Sequence, residues 1–314
     1  MIPASLPNIQ PLSEDLQKVA IEELGEVPSR IPEDLLALKT WISQQPHLKA
    51  RTDDQWLIQY LRGCKYSLER AKEKLDFFYT ITSKYPELFT CDDLDNPRFR
   101  EVHNEGIFLP LPKLLHDSGP RMVFFRMKFD IEKYKIEDVM RPCNIMHQIM
   151  LLNDPPTCIN GLFYVADFGG SAGHFLQFTP SIIKRQVAYF EKALPLRIKA
   201  WCFFNVSAVA EQFFKIILPL VSEKLRKRIH IYNKDSLHKL WELVPQKYMP
   251  AEYGGENGSL AQAAADYHKV WDEYRDYFKE NSQYGVDENL RPGNPMDFDS
   301  MFGLCGSFRK IEVD

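Results

Sequence analysis

Along roughly the first 90 residues, apolar side chains recur every three or four positions, the period of helices with one buried face. SEDLQKVAIEELGE begins with a serine able to cap its first turn, and PEDLLALKTWISQQP places Pro32 where a helix tolerates it. DDQWLIQYLRG stops at Gly63, and SLERAKEKLDFFYTITSKYP runs from a serine cap to Pro86. CDDLDNPRFR, rich in Asp, Asn and Pro, then interrupts the pattern and marks a domain boundary, leaving a helical N-terminal domain over 1–95.

Beyond the boundary the period alternates. RMVFFRMKF, GLFYVADF, RIKAWCFFNV and the short RIHIY read as strands. Between and after them IEDVMRPCNIMHQIMLL, TPSIIKRQVAYFEKAL with its Thr179 cap and Pro180, an oily run near 206–221, and DSLHKLWELV read as helices. Strands alternating with helices predict an α/β domain with a mainly parallel sheet over 96–280. It closes with a helix from Ser259, whose Ser-x-x-Gln start is a capping box. The Gly- and Pro-rich remainder, 281–314, is expected to wrap the surface as a tail.

One stretch stands apart. In FFKIILPLVSEKLRKRIH, Phe213 to His230, an oily run passes straight into the cations of KLRKR. On a helical wheel Val209, Phe213, Ile216 and Leu220 form one apolar stripe, and Ala210, Phe214, Ile217 and Val221 a second beside it. A helix apolar nearly all round is either buried on every side or meets something oily other than protein. Lys224, Lys227 and Arg228 share one side of the wheel, and Arg197 and Lys199, two apart on the preceding strand, share a face. Between Arg197 and His230 seven basic residues meet only Glu211 and Glu223, a local +5 in a chain of net charge −4. A solvated face explains such a run as an anionic partner does. Nucleic acid fits poorly, because a greasy helix beside the patch does not suit phosphate-backbone binding. An anionic membrane surface fits both features.

Composition narrows the classes further. With 314 residues, 45% hydrophobic and 13% aromatic, the chain can bury a substantial core. No apolar run approaches the roughly 20 residues of a membrane span, and MIPASLPNIQPLSEDL has neither the charged start nor the apolar core of a signal peptide. The six cysteines are scattered and read as reduced thiols of a cytoplasmic protein, with no metal or cofactor motif. GGSAG at 169–173 fits the serine nucleophile pattern G-x-S-x-G, with Asp235 and His268 downstream in hydrolase order. Against it, the next helix signal waits for Thr179-Pro180 instead of starting at Ser171. Asp167, at the end of a strand, is either an acid–base candidate or a partner for neighbouring backbone amides.

LRGCKYSLERA, VADFGG, FTPS, ALPLRIKAWCFFNV, SEKLRKRIHIY and VPQKYMPAEYGGE occur in an order that resembles the CRAL-TRIO lipid-transfer family, and within it the alpha-tocopherol transfer protein group, over roughly residues 30–280. That resemblance implies a helical domain leaning on an α/β domain whose sheet floors a lipid cavity, closed by a mobile lid helix. It implies a carrier of one hydrophobic molecule between membranes and no catalysis. The lid would hold Val209, Phe213, Phe214, Ile216, Ile217 and Val221, with the Phe213 stripe facing the bilayer. Phosphoinositide head groups would meet Arg197, Lys199, Lys224, Arg226 and Arg228. Cys64 stands where the tocopherol protein has an arginine, with Lys65 next to it. The cavity wall would draw on Cys143, His147, Leu162, Tyr164, Phe178, Tyr189, Phe190, Leu194 and Ile198. His147 is either a polar contact to a ligand hydroxyl or a core histidine bonded within the protein. Alpha-tocopherol, a retinoid and a carotenoid all remain open as cargo, as do a phosphoinositide sensor of the same fold and the serine hydrolase.

Overall fold

Why the first segment keeps a helical period becomes clear in the computed structural model, which describes residues 9–302. Four helices, Glu14–Leu24, Ile31–Ser43, Asp54–Gly63 and Leu68–Lys84, turn their apolar faces inward. Ser13 caps the first by accepting from the Leu16 amide. The two-residue strand β1, Leu48–Lys49, interrupts them. The third helix ends at Gly63, as expected. A Cβ at this position would lie 2.0 Å from the Pro195 carbonyl oxygen, so glycine lets the helix rest directly on the chain leading into the sheet.

Five strands form that sheet in the order β2 (Phe108–Leu114), β3 (Arg121–Arg126), β4 (Leu162–Asp167), β5 (Ile198–Phe204) and β6 (Ile229–Ile231). β3 to β6 are parallel neighbours in sequence order, and β2 pairs antiparallel with β3. The four parallel strands are those read from the sequence. β2 is an addition, hidden by the two prolines of FLPLPKL, which are tolerable because β2 is an edge where a missing N–H breaks no ladder. Ile136–Asn153 follows β3, and Pro180–Ala188 follows β4, continuing as a π-helical turn over Tyr189–Ala193. Ala208–Ile217 joins β5 to β6. One face of the sheet packs Phe124, Val165, Cys202 and Phe204 against Tyr248, Met249 and Leu260. The other face is the floor discussed below.

The sequence boundaries near 95 and 280 do not divide the core. Trp56, Leu57 and Phe78 share one buried cluster with Ile145, Ile149, Leu162 and Tyr189. Polar contacts cross the same junction: Gln55 Nε2 donates to the Leu152 carbonyl at 2.9 Å, and Lys74 Nζ donates to the Glu191 and Leu194 carbonyls at 2.7 Å each. Strand β7, Gly285–Val286, pairs antiparallel with β1, and Arg291 reaches both Asp76 oxygens at 2.7 and 2.9 Å. The early part of the expected surface tail is therefore pinned to the N-terminal helices. The last stretch, GSFRKIEVD, lies outside the described residues, as do Cys305 and MIPASLPN. The other five cysteines are free thiols.

A buried ion pair lies within the N-terminal helical part. Arg62 Nε donates to Glu26 at 2.7 Å, and the Tyr66 hydroxyl donates to the same carboxylate at 2.7 Å. Burial works to raise the Glu26 pKa, but the hydrogen bond and charge of Arg62, with Gln17 and Tyr66, outweigh it and hold the carboxyl below its usual range. Gly63→Ala tests the contact next to this pair. The extra methyl should force Pro195 away and cost about 1–3 kcal/mol in urea denaturation. An unchanged midpoint would show that the helix and the β5 approach are not in close contact.

Candidate functional site

The free face of the sheet is aromatic. Alternation along the strands turns Phe125 of β3, Tyr164 of β4, and Trp201 and Phe203 of β5 to one side. Tyr164 stacks on Trp201 with centroids 4.8 Å apart, and Trp201 on Phe203 at 5.4 Å. Over this floor stand Met140, Cys143 and His147 of the Ile136–Asn153 helix, and Ile183, Gln186, Val187 and Phe190 of the next. Phe213, Phe214 and Ile217 of the Ala208–Ile217 helix close the opposite side. Together they bound a cavity of about 150 Å³ whose lining contains no charged side chain. Pockets for drug-sized ligands usually begin at roughly 300 Å³, so a long lipid requires the Ala208–Ile217 helix to move outward. A larger crevice of about 650 Å³ lies elsewhere, but Glu87, Asp92, Asp93, Arg98, Asp138 and Arg141 make it a wet one.

Of the residues expected in the wall, the cavity gathers Cys143, His147, Tyr164, Phe178 and Phe190. It does not gather Leu162, Tyr189, Leu194 or Ile198, which pack in the cluster shared with the N-terminal helices. The π turn is responsible for Tyr189: its ring stacks on Phe89 at 4.3 Å, and its hydroxyl accepts from Gln148 Nε2. Leu194 follows the same turn. Leu162 and Ile198 open their strands, far from the Ala208–Ile217 helix. A bulge on β5 then carries Lys199 without a partner, so Ile198 pairs with Leu162 while Ala200 pairs with Phe163. Gln186 and Trp201, which line the cavity, were not among the expected residues. For Trp201 the signal was the W-x-F alternation of β5. For Gln186 it was a polar residue one helical turn before Phe190, and that reads equally well as a solvated position.

His147 is bonded within the protein. Nδ1 lies 2.6 Å from the Cys143 carbonyl oxygen and Nε2 lies 2.7 Å from the Tyr164 hydroxyl. The carbonyl accepts only, so Nδ1 carries the proton and, in the neutral ring, Nε2 accepts from Tyr164. Burial pulls the His147 pKa down to about 3 and pushes the Tyr164 phenol far above its ordinary value, which keeps the pair neutral. Tyr164 thereby keeps an oxygen lone pair for something else, while the Cys143 thiol donates to the Val139 carbonyl. A ligand hydroxyl would meet the tyrosine oxygen and not the imidazole.

The lid candidate divides differently from the expected stripes. Phe213 is only 8% exposed and packs on Phe175 at 5.2 Å and Phe178 at 5.6 Å, so it faces the cavity and not outward. Val209, at 46%, and Ile216, at 61%, face outward. On the helix Phe213 lies between the two expected stripes and turns inward with the second, so that 210, 213, 214 and 217, the regular i, i+3, i+4, i+7 set, form the inner stripe, and the helix ends at Ile217 before a 3₁₀ turn over Leu218–Leu220. Val221 is buried and lines the cavity.

Beside the lid lie the cations. Lys199 falls within Coulomb reach of Arg197, Arg228 and Lys65; partial burial and these like charges lower its pKa against the pull of Glu23. Arg197 and Lys199 both approach that carboxylate, at 3.5 and 3.9 Å, so the expected bare patch is partly neutralised. Three arginines are also tied to carbonyls: Arg197 to Ile159, Arg226 to Val221 and Arg228 to Ile198. Lys224 and Lys65 are exposed. Cys64, by contrast, is buried.

The serine motif assembles no triad. A five-residue helix, Ala172–Leu176, does start at Ser171, contrary to the expectation that none begins before Thr179. Its serine is the N-cap, with Oγ 2.8 Å from Nδ1 of His174 on the same helix. His174 Nε2 donates to the Phe129 carbonyl, not to a carboxylate. The expected His268 is engaged by Asn104 and Arg100. Asp167 accepts from the Gly169 amide, Asn205 and the Tyr253 hydroxyl, a structural hub at the end of β4.

Comparison with known proteins bears on the family. The family described as "CRAL/TRIO domain" matches residues 115–255, which contain the four parallel strands and the lid, and "Pinta-like, UBA domain" matches 27–99. The mouse protein "Alpha-tocopherol transfer protein-like" is 29% identical over 256 residues, covering 81% of this chain and 73% of the relative. Rat Clavesin-2 is 24% identical over 291 residues, covering 90% and 85%. Residues 115–255 of the chain match the CRAL-TRIO family model, and both named relatives resemble the chain over most of its length. The crystal structure of Sfh5, 15% identical with a TM-score of 0.50 over 81% of this chain and 92% of that one, shares the fold. The CRAL-TRIO matches support a lipid-binding and lipid-transfer role.

Two measurements follow for this CRAL-TRIO cavity. Phe213→Asp should cost several kcal/mol by burying an unpaired charge, whereas Ile216→Asp should leave thermal stability nearly unchanged. Equal stability of the two variants would contradict the assigned orientation. Stability should also fall with acid. His147 and His103, lowered by burial to about 3 and about 4, bind fewer protons folded than unfolded below pH 6.5. Their contribution is complete above that pH and is lost as pH falls towards the folded values, at up to about 1.4 kcal/mol per pH unit for each histidine. In urea titrations His147→Phe should flatten this acid limb, and an unaltered slope would show that His147 is not held neutral.

Proposed function

We propose that this chain carries one neutral hydrophobic molecule of isoprenoid type, such as alpha-tocopherol, between membranes from the cytoplasmic side, docking on anionic surfaces that contain phosphoinositides. The observation that carries the reading is a cavity walled by aromatic and aliphatic side chains with no charge among them, under a helix whose outer side exposes Val209 and Ile216. A phospholipid or fatty-acid head group inside it would be a charge without a counter-ion. Exposing a lipid chain to water costs about 0.8 kcal/mol per CH₂, so release is slow until the lid meets a bilayer. The relatives named for alpha-tocopherol transfer support the cargo class, and the cation rim supports the docking surface.

Organic extracts of the purified protein, analysed by mass spectrometry, should contain a neutral isoprenoid at about one per chain. Phospholipid as the sole bound lipid would overturn the cargo class. Docking is tested separately. Lys224→Glu combined with Lys65→Glu should weaken binding to vesicles containing phosphatidylinositol bisphosphate and leave cargo affinity intact. Binding of the unaltered chain should fall as salt rises, since exposed charges are screened over about 10 Å at 0.1 M. Salt-insensitive binding, unaffected by the charge reversals, would remove the rim from the mechanism.

A further inference from the structure

Four glutamines are buried among the described residues: Gln55, Gln59, Gln148 and Gln186. The fold uses the first three. Gln55 donates to the Leu152 carbonyl, Gln59 to the Gln55 carbonyl, and Gln148 to both the Phe89 carbonyl and the Tyr189 hydroxyl. Gln186 differs. It is 9% exposed, and both its Nε2 and its Oε1 are buried with no hydrogen-bond partner. A buried carboxamide with neither group satisfied is a rare and destabilising arrangement in a native core. It lines the cavity, one helical turn before Phe190. Trp201 Nε1, also lining the cavity, is a second buried donor without a partner. Tyr164 adds an acceptor, because its proton is committed to His147.

We infer that the cavity selects a lipid bearing a hydroxyl group, with the carboxamide of Gln186 as its anchor. The inference rests on the neutral-lipid carrier reading and refines it. A hydroxyl donates one hydrogen bond and accepts others, so it can donate to Oε1 while accepting from Nε2 or from the indole. An ether or ester oxygen only accepts and leaves Oε1 unmet. A hydrocarbon leaves every group unmet, and a carboxylate would face Oε1 with no cation in the lining. Gln186 is therefore a specificity residue: the walls take any oil of suitable shape, and the amide ranks alcohols first.

The test uses three C20 probes of nearly equal shape: phytol, phytyl methyl ether and phytane. Each is loaded onto the full chain from cyclodextrin, and bound lipid is counted by gas chromatography after gel filtration. The unaltered protein should prefer phytol over phytane about tenfold, the ratio expected of one net hydrogen bond, with the ether between them. Gln186→Leu keeps the volume and removes the amide. It should bring the preference below about twofold, bind phytane no worse, and raise the melting temperature of the unloaded protein. Equal loading of the three probes on the unaltered protein overturns the inference and leaves the carrier reading standing. A phytol preference that persists in Gln186→Leu also overturns it, since selection would then lie elsewhere. If none of the probes loads, the carrier reading fails and the inference falls with it.

Discussion

A cavity inside a protein persists only if its walls cannot collapse into it. Unfilled space of about 150 Å³ costs about 3–4 kcal/mol, a large share of the stability of an ordinary domain. The structure holds the space open from below and from one end. Below, the sheet cannot sag because its far face is packed by Phe124, Val165, Cys202 and Phe204 against the segment around Tyr248 and Met249. At the end away from the lid, the N-terminal helices fix the two cavity-lining helices. Lys74 grips the carbonyls of Glu191 in the π turn and of Leu194 just after it, and Gln55 grips the end of the Ile136–Asn153 helix at Leu152. The helical part is thus structural support for the cavity.

That support also explains which parts of the site were legible in the sequence. Parallel strands buried on both faces declare themselves as apolar runs, and the four were found. Cys143 and His147, spaced i, i+4 on a helix, and Tyr164 on its strand follow directly from period. What periodicity cannot show is a change of period. The π turn at Tyr189, the bulge at Lys199 and the 3₁₀ turn after Ile217 are such changes, but position along an element matters as much: Ile198 opens its strand away from the cavity, the Tyr189 ring packs on Phe89, and Phe213 lies between the two expected stripes and turns inward. β2 escaped because its prolines are breakers in general and harmless on an edge. Gln186 escaped for another reason. Whether a polar residue on an amphipathic helix is wet, satisfied or stranded depends on neighbours brought in by the fold.

The rim shows a similar division of labour among cations. Arg197, Arg226 and Arg228 spend hydrogen bonds on carbonyls of the chain itself, which fixes the guanidinium positions but leaves them less free to meet a head group. The lysines are compact charges on flexible stems. Lys74, half-buried beneath them, has its pKa pulled down to about 8 by burial, with nearby Lys224 and Arg70 adding to the effect. Losing that proton would weaken its grip on Glu191 and Leu194, so the positive rim and the cavity frame are electrostatically linked.

In the proposed carrier, the short segment after the lid is where docking and cargo would meet. Val221 and Leu225 line the cavity, while Lys224 and Arg226, alternating with them on the Glu223–Arg226 turn, face outward. Ser222 fixes the turn by accepting from the Leu225 amide and donating to Glu191, on the same π turn that Lys74 holds. Attraction of the segment towards an anionic surface, at about 1 kcal/mol per cation, therefore acts on side chains that are themselves cavity wall. Membrane contact shifts the lid only if the open form gains more from the bilayer than the closed form does. On the proposed reading, Val209 and Ile216 would supply that difference by inserting together with the inner stripe they shield, because Phe213, Phe214 and Ile217 would meet hydrocarbon whether they faced the cargo or the bilayer.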